Sequence, residues 1–301
     1  MRVAVVVAAR DVAPFIGDAV QSVLSQGHAD LTLTVVDDGS VDGTRDIVAE
    51  FQDDRLQLIG EDGRGVSCAR NRGARDDFGA DALLFLDGDD WLAPDALERL
   101  TAALVQDAEA VAAHGPFAFV AAGATPAAPG RPDRRSAPIT RDLLTSLMLG
   151  NLFVNGGHVL IRTAAWAAAG PFCENLTFAE DWEFWLRLAL QGPFLAVDGP
   201  PLLFVRRRTG SLMHGAATRM EAYRPALAAV AANAAIAHRL GRPLFARLLR
   251  QSELELAWTL GREMLRRGDP ASARPLLWRG VWGRPRPQRL AVLALAFAKG
   301  R

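Results

Sequence analysis

Short apolar runs alternate with helix-period segments through the first half of the chain. "VAVVVAA", "LTLTVVDD", "RLQLIG" and "ALLFLD" read as strands, and "FIGDAVQSVLSQ", "DGTRDIVAEF", "GVSCARNRGARDDF" and "PDALERLTAALV" read as helices between them. Strands separated by helices imply crossover connections, hence an α/β architecture with a mostly parallel sheet covered on both faces. In such sheets ligands sit beyond the carboxyl ends of the strands. Two strand ends here are acidic: Asp37 and Asp38 close one, and Asp87, Asp89 and Asp90 close another. Both clusters should therefore face one crevice.

Farther on, a loop rich in Ala, Pro and Gly, "AAGATPAAPGRPDRRSAP", precedes a helix, a strand and a second short helix within "ITRDLLTSLMLGNLFVNGGHVLIRTAAWAAAGPF". A helical "EDWEFWLRLALQ" and a strand-like "FLAVDGPPLLFVRRR" follow. From about Thr218 the pattern is helical, rich in Ala, Leu and Arg, and broken at "RLGRP", "RRGDP" and "GRPRP". The expected division is thus 1–217 for the sheet-bearing domain and 218–301 for a basic helical region. "ELAWTLGREMLRRGDPASARPLLWRGVWGRP" has the look of one helix-turn-helix unit of a repeat array.

Composition sharpens this picture in three places. A chain of 301 residues, 50% hydrophobic, suits one large domain plus a smaller appendage. Its two cysteines, Cys68 and Cys173, are far apart and match no metal or disulfide spacing, which fits a reducing compartment. No apolar stretch approaches the ~20 residues of a membrane span, the final "LAVLALAFA" included. The opening "MRVAVVVAARDVAP" has too short an apolar run for a signal peptide. The expected location is cytoplasmic. A formal net charge of zero also hides a split: residues 241–301 hold 13 Arg or Lys against 4 Asp or Glu, and residues 1–240 hold 21 against 30. Such a basic tail would face an anionic membrane surface, a phosphorylated lipid or the acidic body itself, or else form a solvated helical surface.

The candidate chemistry begins with "LLFLDGDDW". At ~5 Å and an effective dielectric near 20, each like-charged pair costs about 3 kcal/mol, so these aspartates require solvent, protons or a cation. Helix capping explains them poorly, because Pro94 at a first helical position would put the cap at Ala93, downstream of all three. Asp87 and Asp89, at i and i+2, can both reach one oxygen-preferring divalent cation. In "VVDDGSVDGT", Ser40 and Asp42 read as caps, whereas Asp38 can accept hydrogen bonds from a nucleobase or a ribose. In "EDGRGVSCARNRGA", Gly63 and Gly65 flank Arg64, and Arg70 follows, a set able to hold a diphosphate. It is not a dinucleotide fingerprint, since no glycine follows the first strand. In "FAEDWEFWLRLA", Trp182 and Trp185 fall at core spacing, and Glu180 and Asp181 either complement the helix dipole or act chemically.

Taken together, "VVDDGSVDGT", "GVSCARNRGA", "LLFLDGDDWLAPDALERL", "AEDWEFWLRLA" and "VRRRTGS" resemble, in order and spacing, glycosyltransferase family 2, inverting nucleotide-sugar enzymes of the GT-A fold with a mostly parallel Rossmann-like sheet. The resemblance spans about residues 3 to 215. It implies that Asp38 binds the base, that Asp89 with Asp87 holds Mg²⁺ or Mn²⁺, that Asp87 also lies near the ribose, and that Asp181 is the catalytic base. Arg206 and Ser211 correspond to the family's late Arg and Ser; His214, just beyond, is either a further metal ligand or a structural histidine. The family's opening Pro-x-Tyr-Asn is replaced by "AARD", so Arg10 would stack where tyrosine lies against the base. Gly65 and Arg70 complete the expected donor site, and Asp90, Glu180 and Trp182 are placed on the acceptor side. The implied activity is transfer of a sugar, from a UDP-sugar, to a hydroxyl of a glycan or lipid-linked acceptor in cell-surface polysaccharide or glycolipid synthesis. No nucleic acid takes part, and the basic helices would touch the inner face of the membrane. The rival reading is a non-catalytic nucleotide-sugar-binding or scaffolding protein. A nicotinamide dehydrogenase is disfavoured by the missing fingerprint.

Overall fold

A computed structural model describes residues 1–76, 79–129, 133–135, 142–207 and 219–298. The chain divides into two compact units, Met1–Ile139 with Leu152–Arg208 and Thr140–Asn151 with Thr209–Arg301.

In the first unit the unbroken apolar runs become central strands because only a strand covered on both faces can bury every successive side chain. β1 (Val3–Ala9), β2 (Leu31–Asp37), β3 (Leu56–Gly60) and β4 (Ala82–Asp87) are joined by α1 (Ala13–Leu24), α2 (Thr44–Ala49) and α3 (Val66–Asp76). β1 pairs in parallel with β2 and β4, and β2 with β3. After β5 (Trp91–Leu92) and α4 (Ala96–Gln106) come β6 (Ala112–His114), β7 (Phe117–Ala121) and β8 (Asp133–Arg135). α4 starts two residues beyond the expected Pro94, with Asp95 at its N-cap, so the aspartates of "DGDD" do lie upstream of it.

α5 (Leu143–Met148) belongs to the second unit; β9 (Val159–Arg162), α6 (Thr163–Ala169), α7 (Glu180–Leu188), β10 (Phe194–Ala196) and β11 (Leu203–Arg207) complete the first. The main sheet has the order β10-β6-β9-β4-β1-β2-β3, with β9 antiparallel to both neighbours. A second sheet, β5-β11-β7-β8, was not foreseen from the pattern. The single strand-like stretch "FLAVDGPPLLFVRRR" divides at Gly199-Pro200-Pro201, where proline withholds ladder donors, and its halves enter different sheets.

The second unit is helical: α8 (Met220–Ala232), α9 (Ala234–Leu240), α10 (Arg242–Arg266), α11 (Pro270–Gly283) and α12 (Pro287–Ala298), with α5. Asp269 caps α11 by accepting from the Ser272 N–H at 3.0 Å. Gly261 and Gly280 let α10 and α11 meet: a Cβ on Gly280 would lie 2.6 Å from the Trp258 Cβ. Around that contact Trp258, Leu265, Ala273, Leu277, Val281, Leu293 and Ala296 form a separate small core. Among the described residues no helix is long and apolar enough to cross a membrane.

Candidate active site

Strand order locates the crevice. The chain leaves β1 toward β2 and β3 on one side and returns to place β4 on the other, so the connections diverge at the carboxyl ends of β1 and β4. Ala8 is in register with Asp87, and the Gly88 N–H donates to the Ala8 carbonyl at 3.1 Å. A side chain at Gly88 would press on Val12 and Ile16 at 3.1–3.2 Å, which is why a glycine separates the carboxylates of "DGD".

On the β2 side, Asp38 is buried and its Oδ2 accepts from the Gly65 N–H at 2.9 Å. The Arg10 guanidinium lies 3.6 Å from the same oxygen, with most of its side chain exposed. Oδ1 of Asp38 is buried and meets no donor among the described residues. A buried carboxylate oxygen without a donor is costly, so this atom is a receptor for an N–H or O–H supplied from outside the chain. Arg10, Asp38 and Gly65, expected at the donor site, are thus brought together. Arg10 is an ion-pair partner of Asp38.

Arg70, only 5% exposed, joins the two acidic motifs. It donates to Asp87 Oδ1 at 2.8 Å and to Glu180 Oε1 at 3.0 Å, with its guanidinium 5.4 Å from the Phe172 ring centre. Burial works against its charge, but Asp87, Glu180 and Asp181 outweigh burial and hold the proton more firmly than usual. Arg70 was expected to grip a diphosphate; both its terminal nitrogens are engaged by carboxylates, so it positions those groups.

The "DGDD" carboxylates take three different answers to their repulsion. Asp87 accepts from Arg70 and, at 3.2 Å, from Asn155 Nδ2. Asp90 is fully buried, accepts from Asn155 Nδ2 at 2.7 Å and from the Arg206 N–H at 2.9 Å, and its pKa is pushed well above the ordinary carboxylate value by burial and by Asp89 and Asp87. Asp89 is half-buried, and its carbonyl accepts from Arg206 Nη1 at 2.7 Å. Arg206, expected to touch the nucleotide sugar, is buried: it pairs with Asp18, donates to the Ala124 carbonyl, and lies 4.3 Å from the Trp91 ring centre. Its role is to brace the turn that carries Asp89 and Asp90.

Asp181 is the second residue of α7, which opens at Glu180 directly after Ala179, a residue with a left-handed φ of 59°. That conformation disfavours a non-glycine residue and turns the chain sharply into the helix. Asp181 Oδ1 accepts from the Trp182 N–H at 2.7 Å, and the Trp182 side chain is buried. Trp182 therefore packs in the protein; it was placed on the acceptor side. Ser211 and His214 lie outside the described residues.

The metal expectation can be tested on the donor set. Among the described residues no three His, Cys, Asp or Glu side chains converge to hold an ion. With both Asp87 oxygens accepting hydrogen bonds, the contribution of the described residues reduces to Asp89 with Asp87 beside it. A hard carboxylate of this kind fits Mg²⁺ or Mn²⁺, ions that fill their remaining positions with phosphate oxygens and water.

Asn155, Asp18, Asn71 and Glu174 escaped the sequence reading. Asn71 Nδ2 donates to the Phe172 carbonyl at 2.9 Å and to Glu174 at 3.0 Å, anchoring α3 to the segment before α7. The one signal for Asn155 was its place ahead of two glycines, Gly156 and Gly157, and a buried strand.

The family model for glycosyl transferase family 2 matches residues 4–166. Chondroitin synthase from Escherichia coli is 28% identical over 200 residues, 65% of this chain and 28% of that protein. Curated glycosyltransferases from Nostoc, Streptococcus pneumoniae and Bacillus subtilis are likewise spanned over a third or less of their own length. Among solved structures, residues 1–349 of S. aureus TarS in complex with UDP-GlcNAc superpose with a TM-score of 0.67 at 18% identity, over 99% of this chain and 88% of that one. A mannosyltransferase from Pyrobaculum calidifontis, in complex with GDP-Man and Mn²⁺, gives a TM-score of 0.60 at 20% identity over 99% and 79%. These likenesses show the fold: a GT-A fold with helices following it.

Proposed function

Since the chain belongs to glycosyl transferase family 2, we propose that it transfers a sugar from a nucleoside diphosphate sugar, UDP-linked in our reading, to a hydroxyl of a glycan or lipid-linked acceptor, with inversion at the anomeric carbon. The observation that carries the donor side is Asp38 Oδ1, a buried acceptor at a β-strand end that meets no donor among the described residues, suited to the imide N–H of a base. Gly65 and Arg10 hold Asp38 in place. Asp89, with Asp87, would hold Mg²⁺ or Mn²⁺, which neutralises charge on the departing diphosphate. Support for the metal is the hard-oxygen donor set here and the Mn²⁺ in the P. calidifontis complex. The polysaccharide setting draws support from the likeness to chondroitin synthase.

Asp181 is the base. It lies close enough to Arg70 to influence it, at the start of a helix whose first turn also carries Glu180, the partner of Arg70. Arg70 fixes Asp87 and Glu180 relative to each other, so donor-side and acceptor-side carboxylates share one rigid support. Asp181 takes the proton of the acceptor hydroxyl as that oxygen attacks the anomeric carbon opposite the leaving diphosphate. One displacement inverts the centre.

Release of nucleoside diphosphate from a panel of UDP-, GDP- and dTDP-sugars, with Mn²⁺ or Mg²⁺ and glycan acceptors, tests the reading. Asp181→Asn should lose ~10²- to 10⁴-fold in turnover with donor affinity unchanged. Asp38→Ala should weaken donor binding. Wild-type turnover by Asp181→Asn rejects the base assignment. Donor binding by the wild-type chain without any transfer favours the non-catalytic alternative.

A further inference from the structure

The last two helices carry an unusual surface. α11 and α12, residues 270–298, contain five arginines and no carboxylate. On α11 the residues Ala271, Pro275, Trp278 and Trp282 recur at intervals of three or four, and all are exposed. Trp278 and Trp282 are 53% and 73% exposed, and their rings meet edge to face at 6.4 Å. One turn before Trp278, Arg274 reaches across to α12: its Nε donates to the Ala296 carbonyl at 3.1 Å, and its guanidinium lies 5.0 Å from the ring centre of Phe297, itself 51% exposed. Trp282, Trp278, Arg274 and Phe297 thus form a continuous row. α12 adds Leu290, Ala291, Ala294 and Leu295 to the exposed set.

Charge decides what such a face meets. Arg284 and Arg289 share the single carboxylate of Glu255 within the helical unit. Arg262, Arg279 and Arg286 form no ion pair among the described residues, although Arg279 lines a cavity that Glu221 and Glu253 also line. Arg262 and Arg286 line a shallow cavity of about 360 Å³ with Trp258, Gln288, Arg289 and Val292. Two copies of this face would bring arginine against arginine with no acid on α11 or α12 to compensate. An anionic bilayer offers what both features require: phosphate for the guanidinium groups, and an interfacial layer in which indole rings bury their hydrocarbon while the N–H stays hydrated.

We infer that the outer face of α11 and α12 is a docking surface for an anionic lipid bilayer, with the row Trp282, Trp278, Phe297 entering the interface and Arg262, Arg279 and Arg286 held at the headgroups. The inference concerns the helical unit alone and stands or falls independently of the sugar-transfer reading. It excludes a transmembrane mode, since the contact is to one leaflet surface.

Sedimentation of the full chain with vesicles of phosphatidylcholine, and of phosphatidylcholine mixed with phosphatidylglycerol, tests it at low and high salt. The intact chain should sediment with the mixed vesicles only, less as salt rises. Replacing both exposed indoles, Trp278→Ser with Trp282→Ser, should weaken binding about tenfold or more. Arg279→Gln with Arg286→Gln should weaken it about fivefold per charge and flatten the salt dependence. Circular dichroism and melting of these surface variants should match wild type, which separates lost binding from lost folding. No sedimentation at low salt, or sedimentation indifferent to removal of the tryptophans, overturns the inference. So does a chain that elutes as a dimer and becomes a monomer in the tryptophan variant, because a second copy would then cover the face.

Discussion

The crevice of the sheet-bearing unit and the outer face of the α11–α12 helices both concentrate charge of one sign, but they treat it in opposite ways. In the crevice, Asp87 and Asp90 are each hydrogen-bonded to fixed donors, and the arginines that support the cluster are themselves buried. On the last two helices, five arginines and no carboxylate accompany the exposed indoles of Trp278 and Trp282. Burial magnifies the penalty of an unpaired charge, so a buried cluster must be bonded group by group, whereas a solvated cluster can leave its charge for a partner. Two crevice atoms break the rule among the described residues, Arg70 Nε and Asp38 Oδ1, and only the second is an acceptor that a ligand N–H or O–H can satisfy.

This contrast predicts steep losses in one region and almost none in the other. The largest is expected for Arg206→Met, which strands Asp18 and leaves the Asp89 and Ala124 carbonyls without their donor: about 3–5 kcal/mol of stability in urea unfolding at neutral pH. A loss below about 1 kcal/mol would show that the crevice does not depend on its buried arginine.

Next come His114 and His158, buried beside Phe153. Burial lowers their pKa values from 6.5 to about 4 and about 3. The folded protein keeps both rings neutral, whereas the unfolded chain takes up protons below pH 6.5. The linked stability is therefore complete above pH 6.5 and declines as pH falls toward 4, by about 1.4 kcal/mol per pH unit for each ring. Asp90 acts in the opposite sense, because its raised pKa makes the folded state the better proton binder at low pH. Denaturation curves against pH, paired with NMR titration of the two imidazoles, separate these contributions. Rings that protonate near 6.5 in the folded protein would refute the burial argument.

A smaller loss, about 1–3 kcal/mol, is expected for Asn155→Ala, which removes the amide shared by Asp87 and Asp90 and the acceptor of the Gly157 N–H. Its second signature is functional: if Asp87 and Asp89 act as proposed, metal-dependent donor binding should weaken along with stability. The smallest effect is that of Trp278→Ser with Trp282→Ser, within about 0.5 kcal/mol per site, because neither side chain supports the fold. A large destabilisation there would mean that the exposed row is structural.

The sheet was legible because strands buried on both faces leave long apolar runs, and β1 to β4 and their helices follow those runs. The acidic strand ends were legible for the same reason, as a polar cluster stands out where such a run stops. Arg70, Asp87 and Glu180 were each picked out, but their pairing was not, since Asp87 and Glu180 lie 17 and 110 residues from Arg70 and nothing local links them to it. Asn155 and Asp18 were missed on the same ground: an isolated polar residue shows no period, and its function exists only across a contact.

The sequence by itself determined the alternation of β1 to β4 with their helices, the family, the acidic ends of β2 and β4 and the basic character of the last helices, because each is carried by neighbours along the chain. Only the tertiary structure decided which carboxylate is braced, which is buried and which oxygen lacks a donor. It also decided that β9 runs antiparallel within the main sheet, that α5 groups with the C-terminal helices, and that Arg206 and Arg70 hold carboxylates in place. Hydrogen bonding and desolvation depend on distances between groups remote in sequence, and those distances are set when the chain closes on itself.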